Sequence, residues 1–165
     1  GDLCVLRGGL MTSGSLLDDL YREILLDHYR QPRNHGGIDA PTCSADGSNP
    51  LCGDQVRIDV SVADERVIDI SFSGRGCSIS QASASMMTEY VKGRSVADAC
   101  GGINAFQQMM VTAESPGIDG FDDIEALIGV AKFPARVKCA SLAWKTLEQA
   151  LAGEDGEVTT DERSA

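Results

Sequence analysis

The 165-residue sequence predicts an α+β fold, in which a small antiparallel sheet of about three strands is covered by helices. Two observations carry this prediction. Apolar and polar residues alternate in "QVRIDVSV" and again in "VIDISFS", and only the turn "ADER" separates the two runs, which is typical of a β-hairpin. Segments with helical periodicity dominate the second half of the chain, and its length suits one hydrophobic core.

The first predicted element is a helix that begins at Ser15 in "SLLDDLYREILLDHYRQPRN" and is stopped by Pro32. Its apolar face contains Leu16, Leu20, Ile24 and Leu25. A loop rich in Gly, Pro and Ser follows from Gly36 to Pro50, with a short strand predicted near Cys43.

The hairpin comes next, and each of its strands is expected to bury one face. The buried residues are predicted to be Val56, Ile58, Val60 and Val62 in the first strand and Ile68, Ile70 and Phe72 in the second. A helix capped by Ser78 should follow directly after the hairpin. Its apolar stripe contains Ile79, Ala82, Met86 and Tyr90.

The rest of the chain is predicted to be helical. Short helices are expected from Ser95 to Val130, with breaks at Gly101-Gly102 and at Ser115-Pro116-Gly117. The last helix should run from about Ala135 to Leu151, behind a proline that suits a first helical turn.

Charge and targeting signals narrow the class of protein. The net charge of -11 argues against nucleic-acid binding, because phosphates require a Lys/Arg surface. The apolar run near the start is too short for a signal peptide or a membrane span, so we expect no membrane partner and a cytoplasmic location. We predict that residues 1–14 form a flexible extension, residues 15–152 the folded domain, and residues 153–165 a disordered acidic tail.

Three of the six cysteines occupy comparable places in the predicted fold. Cys52 lies in the turn that enters the first hairpin strand, Cys77 in the Gly-rich turn that leaves the second, and Cys139 near the start of the last helix. The entrance of one strand and the exit of its antiparallel partner lie at the same end, so Cys52, Asp54 and Cys77 should be close together. The last helix must bring Cys139 to that end for all four residues to meet.

Three thiolates and the Asp54 carboxylate would complete the four-coordinate shell that zinc prefers. Gly53 would let the turn fold tightly enough for Cys52 and Asp54 to face one ion. An oxygen ligand in place of a fourth sulfur should make the shell easier to open. Taken singly, each cysteine also fits a small buried hydrophobe and Asp54 a turn residue, so the residues alone leave both interpretations open.

The remaining cysteines and the two histidines carry weaker signals. Cys4, Cys43 and Cys100 have no supporting pattern. His28 and His35 lack the paired spacing of zinc motifs, and we predict a helix-end or loop role for them.

Three separated stretches, "NPLCGD", "GRGCSISQASAS" and "RVKCASLAW", resemble in content and order the IscU/SufU (NifU N-terminal-like) family of iron–sulfur cluster assembly proteins. The resemblance runs from about Leu16 to Leu151. Two features point to the SufU branch: Lys138 stands where IscU has a histidine before its last cysteine, and the segment between Cys77 and Cys139 is longer. The stretch "FPARVK" alters the patch through which IscU engages its chaperone.

The resemblance implies a Zn²⁺ ion held by Cys52, Asp54, Cys77 and Cys139. It implies that a SufS-type cysteine desulfurase, which depends on pyridoxal phosphate, donates persulfide sulfur to Cys52, and that the sulfur passes on to a SufBCD scaffold. Arg136 is a candidate for steering the partner or stabilising the sulfur anion, and a plain surface role suits it equally well. The alternative is an IscU-like scaffold that binds iron or a nascent iron–sulfur cluster with the same four residues.

Overall fold

The computed structural model describes residues 18–153 and 157–159. Within them the chain forms one four-stranded sheet in the order β3-β2-β1-β4. The strands are β1 (Cys43–Asn49), β2 (Asp54–Ala63), β3 (Arg66–Arg75) and β4 (Glu157–Thr159). The helices are α1 (residues 18–30), α2 (Ser78–Val91), α3 (Val96–Thr112), a 3-10 helix (Ile124–Lys132) and α4 (Pro134–Ala152). The predicted α+β fold, with three antiparallel strands and covering helices, is confirmed.

The β2–β3 hairpin follows the prediction at its turn and along β2. Asp64 and Glu65 both have positive φ angles, 52° and 60°, which is the backbone that a two-residue hairpin turn requires. In β3 the predicted alternation is wrong at Ile68, which is 55% exposed, while Val67 is fully buried. A register shift between Ser61 and Val62 explains the difference, because a bulge changes which side chains face the core.

The core lies between the sheet and the helices. α4 packs on β1 and β2, and α2 packs on β3. The indole of Trp144 in α4 stacks on Phe106 of α3 with ring centroids 4.3 Å apart, and its Nε1 donates to Ser83 Oγ of α2 at 3.0 Å. Ser83 Oγ in turn donates to the carbonyl of Ala140 at 2.6 Å. These contacts fix α2 and α4, the two helices that carry Cys77 and Cys139, against each other.

The helices differ from the predictions at two points. In α1, Leu20 is 55% exposed and the fully buried residue is His28; Ser15 and Leu16 lie outside the described residues. The predicted break at Gly101-Gly102 is wrong, since α3 runs through it. Gly102 is buried within the helix. Glycine is needed at this position because a Cβ would overlap the ring of Tyr90. The predicted break at Ser115-Pro116-Gly117 is confirmed, and no helix of the described part is both long and apolar enough to cross a membrane.

The ends of the chain are described only in part. The predicted extension, residues 1–14, lies outside the described residues. Of the predicted disordered tail, Glu157–Thr159 forms β4, which pairs in parallel with β1 and extends the sheet beyond the three expected strands.

Candidate metal centre

The loop of the β1–β2 hairpin presents Cys52. Asn49 and Asp54 face each other as the last pair of the ladder, so residues 50–53 form the loop. The Cys52 amide donates to Asn49 O at 3.1 Å, and the side chain of Cys52 is exposed. Gly53 has a φ of 70°, and nothing lies within 4 Å of where its Cβ would be, so its backbone conformation rather than lack of space requires glycine. The tight turn predicted at Gly53 is confirmed.

Cys77 lies where β3 gives way to α2. It is itself the N-cap of α2, and its Sγ accepts a hydrogen bond from the Ser80 amide at 3.5 Å, so the prediction of Ser78 as the cap is wrong. Asp54 is 1% exposed, and its Oδ1 accepts a hydrogen bond from the Cys77 amide at 2.9 Å. The backbone at residues 76–77 therefore closes over the carboxylate, and a Cβ at Gly76 would lie only 2.6 Å from Asp54 Oδ1.

Cys139 lies on the inner face of α4 and is fully buried. Its Sγ is 3.3 Å from Cys52 Sγ and 3.6 Å from the Ala135 carbonyl. The candidate ligand atoms of Cys52, Asp54 and Cys139 all lie within 4.8 Å of one another. Cys77 adjoins this set, with its Sγ 4.0 Å from Asp54 Oδ2. The structure thus groups three of the four residues that the sequence proposed as ligands and places Cys77 at the edge of that group.

The donor set fits a tetrahedral zinc ion. It offers three sulfurs and one carboxylate oxygen, and the described cysteines are free thiols rather than disulfides. Two sulfurs of a tetrahedral zinc site lie about 3.7 Å apart. Cys52 and Cys139 are a few tenths of an ångström closer than that, so a zinc ion between them would move these two sulfurs slightly apart.

The thiols of the site influence each other's protonation. The interaction with the Cys139 thiol lowers the pKa of Cys77 to about 6, and the Ser80 amide adds to this effect. The same interaction, together with burial and the nearby Cys52, raises the pKa of Cys139 far above its ordinary value. Without a metal, the pair therefore loses its first proton more readily, and its second proton less readily, than an isolated thiol does.

Two further sequence candidates lie on α4 beside the site. Arg136 is exposed three residues before Cys139, and its backbone amide begins the helix by donating to the Phe133 carbonyl at 2.9 Å. Lys138, which directly precedes Cys139 in the sequence, is partly buried. The functional roles predicted for these residues and for the four ligands remain predictions.

The structure adds two features that the sequence did not reveal. Asn49, inside the quoted motif "NPLCGD", is 1% exposed and its Nδ2 donates to Cys139 Sγ at 3.7 Å. His28, predicted only as a helix-end residue, is fully buried, with its Nε2 3.0 Å from Asp123 Oδ2 and its Nδ1 2.8 Å from Ser85 Oγ. These hydrogen bonds join residues that are 57 to 95 positions apart in the sequence. No local spacing pattern could therefore have predicted them.

A second group of potential metal ligands surrounds His28. Its ring nitrogen, Asp123 and Glu89 offer donor atoms within 4.8 Å of one another. The hydrogen bonds of His28 already use both ring nitrogens, and both carboxylates are about half exposed. We therefore interpret this group as a polar link between α1, α2 and the segment before the 3-10 helix.

Comparison with known proteins yields consistent matches. The sequence model of the family called NifU-like N-terminal domain matches residues 20–140 of this chain. The zinc-dependent sulfurtransferase SufU of Bacillus subtilis is 45% identical over 146 residues, which cover 88% of this chain and 99% of that protein. The iron–sulfur cluster assembly scaffold protein IscU of Streptococcus pyogenes is 39% identical over 137 residues, covering 83% and 86%.

Solved structures show the same fold. A crystal structure from Fervidobacterium islandicum, of a protein assigned as an iron–sulfur cluster assembly scaffold for the SUF system, superposes with a TM-score of 0.70 at 32% identity. The match covers 78% of this chain and 94% of that one.

Proposed function

Because this chain belongs to the family of the NifU-like N-terminal domain, whose SufU and IscU members serve iron–sulfur cluster assembly, we propose that it is a zinc-dependent sulfurtransferase. In this proposal it accepts persulfide sulfur from a SufS-type cysteine desulfurase and passes it to a SufBCD scaffold, in the cytoplasm. One observation carries the proposal: an exposed cysteine, Cys52, touches the buried Cys139, and the buried Asp54 and the partly buried Cys77 lie beside them. A partner can reach Cys52, whereas Cys139 and Asp54 are enclosed.

Four residues would hold the metal: Cys52, Asp54, Cys77 and Cys139. A bound zinc ion would keep the thiols deprotonated at neutral pH and protect them from oxidation. The helices anchor Cys77 and Cys139, and the hydrogen bond from the Cys77 amide orients Asp54. Cys52 is held by the hairpin loop alone, so it can turn outward at the lowest structural cost.

The proposed transfer is a thiol exchange. The Cys52 thiolate attacks the terminal sulfur of the partner's persulfide, the bond between the two persulfide sulfurs breaks, and the partner's cysteine leaves as a thiolate. Cys52 then carries the persulfide, and no external oxidant or reductant is needed. Arg136, exposed on the first turn of α4, is available to pair with the sulfur anion or with an acidic group of the partner.

Sulfur labelling tests the acceptor. The full-length, zinc-loaded protein is mixed with a pyridoxal-phosphate-dependent cysteine desulfurase and ³⁵S-cysteine, and the label is mapped by peptide. We expect label on the Cys52 peptide, its loss in Cys52→Ser, and no change in Cys100→Ser, which alters an exposed cysteine on α3. A Cys52→Ser protein that still received label at the wild-type level would refute the assignment of Cys52.

The similarity to IscU of Streptococcus pyogenes supports a second candidate function, a scaffold for the nascent cluster. Iron or an iron–sulfur cluster would then be the cargo of the same four residues. Anaerobic reconstitution with iron and sulfide distinguishes the two. A stable brown species that transfers its cluster to an apo-acceptor would favour the scaffold, and a colourless protein that retains one zinc ion favours the sulfurtransferase.

A further inference from the structure

Asn49 makes an unusual set of contacts for a buried amide. It ends β1, directly opposite Asp54, and is 1% exposed. Its Nδ2 donates to Cys139 Sγ at 3.7 Å, and its Oδ1 is buried with no hydrogen-bond partner. A buried, unpaired amide oxygen costs about 1–3 kcal/mol, and a leucine of similar size would avoid that cost. Asparagine differs from leucine at this position in that its N–H group can donate a hydrogen bond to the Cys139 sulfur.

The three sulfurs of the site differ in the donors that face them. Cys77 Sγ accepts an N–H group from Ser80, and Cys139 Sγ accepts one from Asn49. In the described part of the chain, Cys52 Sγ accepts a hydrogen bond from the Cys139 thiol, whose proton is lost once a metal binds. Cys52 would then be the sulfur that no N–H group of the described residues faces.

Hydrogen bonds to a metal-bound sulfur tune its reactivity, because they withdraw electron density from the lone pairs that attack an electrophile or bind the metal. A thiolate that accepts an N–H group is therefore a weaker nucleophile than one that does not. This difference acts in the same direction as burial, since Cys139 is enclosed and Cys52 is exposed.

We infer that Asn49 is a positioning residue whose N–H group lowers the nucleophilicity of the Cys139 sulfur, so that sulfur exchange begins at Cys52. The inference rests on the proposed function for its biological meaning. The contact between Asn49 and Cys139 can nevertheless be tested independently of sulfur transfer.

The first test replaces zinc by Co²⁺, whose sulfur-to-metal charge-transfer band reports the electron density on the ligand sulfurs. Asn49→Leu removes the N–H donor together with the unpaired oxygen. We expect the band to move to longer wavelength, because a sulfur without the hydrogen bond gives up an electron more easily. Ser71→Ala is the matched control: it removes another buried, unpaired oxygen, in β3 opposite Asp59, and should leave the band in place.

The second test maps transferred sulfur in the zinc-loaded Asn49→Leu protein. We expect the share of label on the Cys139 peptide to rise by about threefold, the gain that follows when a thiolate becomes one pKa unit more basic. An unshifted cobalt band, or a share of label on the Cys139 peptide equal to that in the wild type, would overturn the inference. Should Asn49→Leu fail to fold, the cobalt band of Asn49→Asp provides the same check, because an aspartate carboxylate also lacks the N–H donor and the band should again move to longer wavelength.

The two proposals can fail separately. A wild-type protein that accepts sulfur while Asn49→Leu leaves the band unshifted would refute the role of Asn49 alone. A shifted band in a protein that accepts no sulfur would refute the proposed function and leave the contact between Asn49 and Cys139 standing.

Discussion

At the scale of single residues, the surroundings of a cysteine rather than its spacing set its reactivity. Cys43 is partly buried at the start of β1, and burial raises the pKa of its thiol above the ordinary value. Cys100 is exposed on α3. Because only the thiolate reacts with iodoacetamide and burial raises the pKa of Cys43, we expect Cys43 to be alkylated slowly at pH 8 and faster as the pH rises.

Peptide-resolved mass spectrometry of the zinc-loaded protein measures both rates in one sample. Cys100, which is exposed, should be modified faster than the partly buried Cys43 at pH 8. Equal rates at pH 8 would contradict the enclosure of Cys43 that the structure shows.

His28 illustrates a residue whose importance is structural. It is fully buried and links α1 to Ser85 of α2 and to Asp123. We expect His28→Ala to lower the free energy of unfolding by about 1–3 kcal/mol, because two hydrogen bonds of a buried ring are lost. Urea denaturation measures this. Arg30→Ala, an exposed change on the same helix, should stay within about 0.5 kcal/mol of the wild type and serves as the control.

The sequence predicted the position of a site residue where a local pattern, such as a hairpin or a helix start, fixes that position. Cys52, Asp54 and Cys77 could be brought together from the sequence because a hairpin joins its strand ends by rule. Cys139 could be placed near the start of a helix but not at the site, since nothing local fixes where that helix packs. The roles of Asn49 and His28 depend on partners 90 and 95 residues away, which only the tertiary structure reveals.

At the scale of elements, the two neighbouring glycines of α3 form a matched pair. A Cβ at Gly102 would overlap the ring of Tyr90, whereas nothing lies within 4 Å of a Cβ at Gly101. We expect Gly101→Ala to stabilise the protein by about 0.5–1 kcal/mol, because alanine favours the helix. Gly102→Ala should instead destabilise it by about 1–3 kcal/mol through overpacking.

Thermal and urea unfolding of the two variants, side by side, check this pair. Two changes of equal sign would show that Tyr90 does not pack against Gly102. The same contact explains why the sequence misled at this point. A Gly-Gly pair favours a helix break on local propensity, but packing of α3 on Tyr90 of α2 outweighs a cost of about 1 kcal/mol per glycine.

Other element predictions succeeded or failed for equally physical reasons. The β2–β3 hairpin was predictable because alternation and the turn agree, and the first turn of α4 because Pro134 suits it. Ile68 was placed on the wrong face because a bulge is a tertiary adjustment that alternation does not encode. β4 has three residues, too few for a periodic signal, and gains its partners only from β1.

At the scale of the whole molecule, the candidate metal centre joins three distant segments: the β1–β2 loop, the start of α2 and the inner face of α4. The unfolded chain does not hold these segments together, so metal binding and folding must be coupled. α4 rests on β1 at Gly47, where a Cβ would overlap Thr146, and this close approach brings Cys139 to the hairpin end.

We therefore expect the zinc-loaded protein to unfold at a higher temperature than the same protein after dialysis against a chelator. A metal that binds only the folded state, free at one hundred times its Kd, adds about 2.7 kcal/mol, which for a chain of this size raises Tm by roughly 5–10 °C. Differential scanning calorimetry at fixed free zinc measures the shift. Cys139→Ser should lose most of it, since the substitution removes a buried ligand on α4, and Cys100→Ser should keep all of it. Equal Tm values with and without the metal would show that the four side chains, although close, do not bind an ion as one unit.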